Sequence, residues 1–171
     1  MKPLPNESST YYHSYIDTVS STDLIVELKK TKTNFQTEFF KLDDAIANYQ
    51  YAPDKWTVKE LLLHLIDCER IFAYRALCIA RGEQQGLPGF EENDYAKNCK
   101  AEKRTLQGIL EEFLAVRAST IVLFENLDKQ DLLRIGKANG NEISVRAIGF
   151  IIVGHQNHHF KILEERYLRR L

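Results

Sequence analysis

The helical spacing of apolar residues constrains the fold of this chain more than any other feature of the sequence. Four segments of about 24 residues each repeat apolar side chains every three or four positions, with polar residues between them. Four Pro and eight Gly in 171 residues leave room for helices of that length. This pattern favours an all-α four-helix bundle over any sheet fold. The predicted helices cover residues 24–46, 58–81, 101–127 and 144–168.

The segments before and between these helices predict three smaller features. Residues 1–20 contain two prolines and a cluster of tyrosines, which predicts a short N-terminal arm lying over the bundle. The long Gly-containing connection over residues 82–100 predicts a rim rather than a tight turn. Asn139-Gly140 is a strong hairpin signal, so we expect a small two-stranded hairpin before the last helix. We expect residues 1–171 to form one domain.

Charge and cysteine content argue against several classes of protein. Lys and Arg total 23 against 24 Asp and Glu, and this balance argues against nucleic-acid binding and against a polybasic membrane surface. The longest apolar runs are far shorter than the about 20 residues that a bilayer span requires, so we expect no membrane insertion. Three cysteines without a CxxC pair fit a reduced compartment, and we therefore expect a cytoplasmic protein.

The histidines carry the chemistry that the sequence predicts. On a helical wheel His64 falls on the apolar face of the second helix, and His155 and His159 fall on that of the fourth. Residues four apart lie one turn apart on one face, with about 6 Å between their Cβ atoms. Burying three imidazoles is costly unless their nitrogens are satisfied, and one divalent metal ion would satisfy all three. The alternative is that they are core histidines that only form hydrogen bonds.

Three further residues are candidates for a catalytic role. Asp67 lies on the flank of the second helix, where a carboxylate can orient an imidazole or accept a proton. Arg75 faces inward and is either a cation for an anionic substrate or the partner of a core carboxylate. Gln156 lies in the inward half of the fourth helix, directly after a predicted ligand, and its neutral amide cannot act as a general base.

Several short motifs are similar to those of a known family. A Trp-Thr pair at residues 56–57 opens the second helix and precedes its histidine. Residues 87–90 read Leu-Pro-Gly-Phe, and residues 154–159 read Gly-His-Gln-Asn-His-His. Together these motifs resemble the DinB-like superfamily of four-helix-bundle metalloenzymes, which includes YfiT-like hydrolases and bacterial thiol S-transferases. The resemblance covers nearly the whole chain.

The resemblance implies a nickel, zinc or similar divalent ion held by His64, His155 and His159. It also implies a hydrolase or thiol S-transferase that acts on a small molecule, with a low-molecular-weight thiol as partner in the second case, and a homodimer. Gln156 stands where one subgroup often carries Glu, which removes a carboxylate close to the metal. Two alternatives to an enzyme stay open: a non-catalytic metal-dependent bundle that binds or senses a small ligand, and an interaction protein whose histidines belong to the core.

Overall fold

The computed structural model describes residues 1–169, and most of this part of the chain is helical. The α-helices and β-strands, in chain order, are α1 (His13–Asp17), α2 (Leu24–Phe39), α3 (Asp44–Ala47), α4 (Val58–Ala80), α5 (Glu92–Asn98), α6 (Leu106–Glu125), α7 (Lys129–Leu133), β1 (Ile135–Ala138), β2 (Asn141–Ser144) and α8 (Val145–Ile162), which continues as a π-helix over Leu163–Leu168. The four long helices α2, α4, α6 and α8 confirm the predicted bundle. In it α4 packs against α6 and α8, and α2 closes the ring against the same two helices.

Side-chain caps decide where each long helix begins. The helices start directly after a residue whose side-chain oxygen accepts a backbone N–H, which satisfies a donor that the first turn leaves free. In α4 the predicted capping box is present, because Thr57 Oγ1 accepts from the Glu60 N–H at 3.2 Å and Glu60 Oε2 accepts from the Thr57 N–H at 2.7 Å. The four capping residues are Asp23, Thr57, Thr105 and Ser144.

The first long helix ends earlier than its apolar pattern predicts. It stops at Phe39, and only the last predicted residues, 44–46, are again helical, in the separate short helix α3. Asp43 Oδ1 accepts a hydrogen bond from the N–H of Ile46 at 2.8 Å, so a new cap begins a new helix. The spacing of apolar residues cannot reveal such a break, because apolar residues continue at helical intervals on both sides of it.

The third long helix begins later than predicted, and the rim is more ordered than a loop. Arg104 and Thr105 have extended backbone (ψ 137° and 149°), which stops helical geometry before Leu106. Residues 101–103 therefore form only a 3₁₀ turn. The glycines of residues 82–89 led us to predict an irregular connection as far as residue 100. Instead, residues 92–98 of this connection form the helix α5.

The predicted hairpin is present and holds the rim in place. Strands β1 and β2 pair antiparallel, and Asn139 and Gly140 adopt the positive φ angles of 50° and 76° that a tight two-residue turn requires. Leu87 donates its N–H to the Lys137 carbonyl at 2.9 Å and accepts from the Asn139 N–H at 3.0 Å. The rim is thus bonded to the hairpin through a single parallel β-bridge between Leu87 and Ala138.

A buried polar layer divides the apolar core into two halves. Each long helix contributes one residue to it, namely Thr31, Glu69, Arg117 and Gln156. Arg117 donates from Nε and Nη2 to the two oxygens of Glu69 at 2.7 and 2.8 Å, and from Nη1 to Thr31 Oγ1 at 2.6 Å. Apolar side chains fill the bundle above and below this layer.

The N-terminal arm packs against α8 and is fixed at two points. Arg146 Nε and Ser144 Oγ each donate to Glu7 Oε2 at 2.7 Å. Further along the arm, the backbone of Tyr15 lies so close to Gly154 that a Cβ on this glycine would be 2.1 Å from the Tyr15 carbonyl oxygen. Only glycine permits this approach of the arm to α8. None of the helices within residues 1–169 has the length and apolar character to cross a membrane.

Candidate metal centre

Helices α4 and α8 bring three imidazoles together in the interior of the bundle. His64 lies two turns into α4, and His155 and His159 lie one turn apart on α8. His155 Nε2 is 3.1 Å from His64 Nε2 and 3.1 Å from His159 Nε2. One nitrogen from each ring lies within 4.8 Å of the other two. Two residues close in sequence and a third from a facing helix therefore converge at one point.

The spacing of the three nitrogens suits one divalent ion. Metal–nitrogen bonds of about 2.0–2.1 Å separate two ligand nitrogens by about 2.9 Å at a right angle and about 3.4 Å at the tetrahedral angle. The two separations of 3.1 Å fall within that interval. Imidazole nitrogens suit zinc, nickel, copper and iron better than magnesium or calcium. The residues present fit a transition-metal ion held by three protein ligands.

Burial keeps the three imidazoles neutral, as metal ligands must be. Desolvation lowers the pKa of His64 to about 4 and that of His159 to about 3. For His155, burial and then its two neighbouring histidines lower the pKa well below the ordinary value of 6.5. At neutral pH each ring therefore has one nitrogen with a free lone pair, and the Nε2 atoms of His64 and His159 both face Nε2 of His155.

Aromatic packing, rather than a carboxylate, orients the imidazoles. The Trp56 and His64 ring centroids are 4.6 Å apart, and Tyr15 meets His155 edge-on at 5.5 Å. Cys68 Sγ lies 3.6 Å from both ring nitrogens of His64. His159 Nδ1 is buried without a hydrogen-bond partner in the described chain. No acidic side chain of residues 1–169 joins this group.

A cavity of about 330 Å³ opens beside the three histidines. Its walls come from five parts of the chain: the N-terminal arm, α4 with Trp56 before it, the rim, the hairpin and α8. Sequence reasoning missed most of these residues, although the tyrosine cluster of the arm and the Trp-Thr opening of α4 were visible signals. The main contributors outside the histidines are Tyr12, Tyr15, Trp56, Phe72, Phe90 and Asn139.

The structure places the three catalytic candidates in different environments. Arg75 lines the cavity together with the histidines. Asp67 lies outside the cavity, half-buried, 3.8 Å from the Arg70 guanidinium, and burial raises its pKa. Gln156 belongs to the polar layer, where its Oε1 accepts from Arg117 at 2.9 Å and its Nε2 donates to the Thr31 carbonyl at 2.7 Å. Of the three, only Arg75 shares the cavity with the histidines.

The two remaining histidines lie outside the group of three. His13 is in the arm, and its Nε2 lies 3.0 Å from the Pro5 carbonyl oxygen. His158 lines the cavity edge, where its ring packs against Tyr15 with the centroids 5.1 Å apart. This agrees with the helical wheel, which places His158 at the border of the apolar face.

Comparison with known proteins places this architecture in a family. Curated proteins give no match to the sequence. Among solved structures the fold is similar to that of YfiT from Bacillus subtilis, which is described as a probable metal-dependent hydrolase with an unusual four-helix bundle topology. The TM-score is 0.79 over 99% of this chain and 94% of that chain, at 18% identity. The model of the DinB superfamily matches residues 27–163, most of the chain, and the protein therefore belongs to the DinB superfamily.

Proposed function

We propose that this protein is a metal-dependent enzyme that transforms a small molecule at a site built on His64, His155 and His159. The observation that carries the proposal is the convergence of three neutral, buried imidazole nitrogens beside a cavity. A structural metal site needs no cavity, whereas a catalytic site leaves coordination positions open to substrate. Nickel or zinc is the ion that we propose.

Different side chains of the site have different proposed roles. The three imidazoles would hold the ion, and aromatic side chains form much of the cavity wall beside them. A bound divalent ion would supply Lewis-acid chemistry, which lowers the pKa of a water or thiol so that a nucleophile exists near neutral pH. Glu92 is an acidic residue of the cavity wall, and its exposed position suits the exchange of a proton with solvent.

Hydrolysis and thiol transfer are the two reaction classes that we propose for this site. Both require the same step, in which a proton leaves a nucleophile next to a polarised electrophile. The description of YfiT as a probable metal-dependent hydrolase supports the first class. For the second, a low-molecular-weight thiol would be the partner. A homodimer and a cytoplasmic location stay predictions from the family resemblance and the composition.

Metal content and turnover test the proposal together. We expect one nickel or zinc ion per chain in protein purified without a histidine tag, measured by elemental analysis. His159→Ala should reduce metal affinity by about tenfold or more, whereas His13→Ala, which changes a histidine of the arm, should leave it unchanged. Equal loss of metal from both variants would contradict the assignment.

A non-catalytic metal-dependent binding protein is the second candidate. It is favoured by the lack of an acidic group beside the three nitrogens within residues 1–169. It is also favoured by the Gln156 amide, which hydrogen-bonds to Arg117 and the Thr31 carbonyl and not to the histidines. Ester hydrolysis and thiol-transfer assays on the metal-loaded protein separate the two candidates. Turnover that disappears in His159→Ala supports the enzyme, and ligand binding without turnover supports the binding protein.

A further inference from the structure

Two buried arginines of this bundle differ in whether the protein neutralises them. Arg117 is 1% exposed and pairs with both oxygens of Glu69. Arg75 is 4% exposed, yet it forms no ion pair with any carboxylate in residues 1–169. A buried charge without a partner is costly, and proteins normally pair it. Within the described part of the chain, the cation of Arg75 therefore has no counter-ion to offset its burial.

The guanidinium of Arg75 is held on three sides by groups that carry no net charge. Nη2 donates to the Pro88 carbonyl at 2.7 Å. The central carbon lies 5.5 Å from the centre of the Phe72 ring and 5.8 Å from that of Phe90. One backbone carbonyl uses only a small part of the five N–H donors of a guanidinium. The remaining donors belong to a side chain that lines the cavity.

The rim fixes this arrangement before any ligand arrives. Leu87 is bonded on both sides to the hairpin, to the Lys137 carbonyl and the Asn139 N–H, and this anchors the next residue, Pro88. The Pro88 carbonyl in turn holds the guanidinium against the two phenylalanine rings. A cation that is positioned in advance binds an anion without the entropic cost of ordering a long side chain.

Other charged groups of the cavity do not replace the missing partner. Glu92 also lines the cavity, but it is exposed and makes no ion pair with Arg75. From the arm, Ser9 carries no charge, and burial raises the pKa of the Tyr12 phenol above its ordinary value, so it is neutral near pH 7. Burial lowers the pKa of Arg75, but an arginine side chain stays charged in proteins.

We propose that Arg75 is an oxyanion subsite of this cavity, which binds the carboxylate of a small molecule whose apolar body lies against the aromatic walls. The statement that this molecule is the substrate rests on the proposed function. Arg75 follows His64 by eleven residues on α4, an axial rise of about 16 Å, and its side chain leans back toward the N-terminus of the helix. The subsite would thus hold one end of an elongated substrate and leave the other end near the histidines.

Binding of a matched pair of probes to chelator-treated, metal-free protein tests the subsite. The probes are phenylacetate and its uncharged analogue phenylacetamide, titrated by calorimetry. Because the ion is absent, the carboxylate cannot bind to a metal instead. We expect phenylacetate to bind about tenfold more tightly or better, since hydrogen bonds to a charged group exceed neutral ones by such a factor. Arg75→Met should remove this preference, while Arg70→Met, on the exposed side of the same helix, should retain it.

Several results would overturn the subsite. They are equal binding of the two probes, the lack of saturable phenylacetate binding, or a preference that survives in Arg75→Met. Circular dichroism checks folding, and if Arg75→Met does not fold, Arg75→Lys takes its place: a reduced preference supports the subsite and an unchanged one contradicts it. Preference for the carboxylate in a protein that never takes up nickel or zinc would contradict the proposed function and leave the subsite intact.

Discussion

Gln156 shows how a residue next to a candidate ligand can serve the fold instead of the site. Its predecessor His155 faces the other two histidines, but one residue along a helix turns the side chain by about 100°. Gln156 therefore faces Arg117 and the Thr31 carbonyl, and it is 1% exposed. The amide accepts with one atom and donates with the other. A carboxylate at this position could accept the hydrogen bond from Arg117 but could not donate one to the Thr31 carbonyl.

Gln156→Glu is expected to destabilise the fold without increasing turnover. The new carboxylate would face the Thr31 carbonyl with no proton to donate, and Arg117 is already neutralised by Glu69. Loss of a buried hydrogen bond of this type costs about 1–3 kcal/mol. Melting temperature, metal content and rate on one metal-loaded preparation check this. A higher rate at unchanged stability would contradict it and give position 156 a catalytic role.

The buried histidines predict a pH dependence of stability for the metal-free protein. Burial lowers the pKa of His64 from 6.5 to about 4 and that of His159 to about 3. Below pH 6.5 the unfolded chain therefore takes up protons that the folded chain does not bind. The free energy of unfolding should fall as the pH drops from 6.5 toward 4.

Urea unfolding in the presence of a chelator measures this dependence. The midpoint concentration should be lower at about pH 5 than at about pH 7.5, and the difference should shrink in the variant His64→Gln/His159→Gln. Other groups also titrate in this interval, so the comparison with that variant isolates the histidines. The same pH dependence in both proteins would show that these two residues titrate near 6.5 when folded.

The N-terminal arm is the element whose packing most directly shapes the cavity. It contributes tyrosine side chains to the walls, and Glu7 ties it to the start of α8. Burial opposes ionisation of this carboxylate, but hydrogen bonds from Arg146, the Leu4 N–H and Ser144 lower the pKa of Glu7 to about 2. The Glu7 carboxylate therefore stays ionised, and able to accept these hydrogen bonds, at pH values well below neutral.

Gly154→Ala is expected to displace the arm from α8. The added Cβ would be 2.1 Å from the Tyr15 carbonyl oxygen, and backbone on both sides leaves nothing flexible to yield. The melting temperature should fall, and protection of the arm amides from hydrogen exchange should decrease. Gly108→Ala in α6 is the matched control, since there the nearest atom is the side-chain Thr105 Oγ1 at 3.1 Å. Equal effects of the two substitutions would contradict the specific role of Gly154.

Across the whole molecule, the polar layer joins all four long helices at one level. Arg117 bonds to side chains of α2, α4 and α8 from its own position on α6. Such a layer adds little net stability compared with apolar packing, but it penalises any shift of one helix along another, because a shift breaks several buried bonds together. We infer that it helps to hold α4 and α8 in the relative position that brings the histidines together.

Arg117→Met should destabilise the protein by about 3–5 kcal/mol, because it leaves Glu69 buried without a partner. The variant Glu69→Gln/Arg117→Met removes the unpaired charge and should recover part of that loss. Chemical denaturation of both variants and of the parent protein measures the difference. If the second substitution adds a further loss instead, the cost of the first does not come from the unpaired carboxylate.

Much of this architecture could be predicted because it is encoded locally. Apolar spacing specified the four long helices, Thr57 and Glu60 marked the start of α4, and Asn139-Gly140 marked the hairpin. The same periodicity placed the candidate histidines on inward faces, since the face of a helical residue depends only on its position along that helix. The break at Asp43 was not visible in this way. The Asp43 cap starts a new helix, but the spacing of apolar residues continues unchanged across it.

What local patterns leave open is which side chain meets which. His64 and His155 are 91 positions apart, and their contact depends on how α4 and α8 are rotated and offset. The same packing gave Arg117 a carboxylate and left Arg75 without one among residues 1–169. Each distinction depends on a few ångströms of position between separate helices, and only the packing of the complete chain determines those distances.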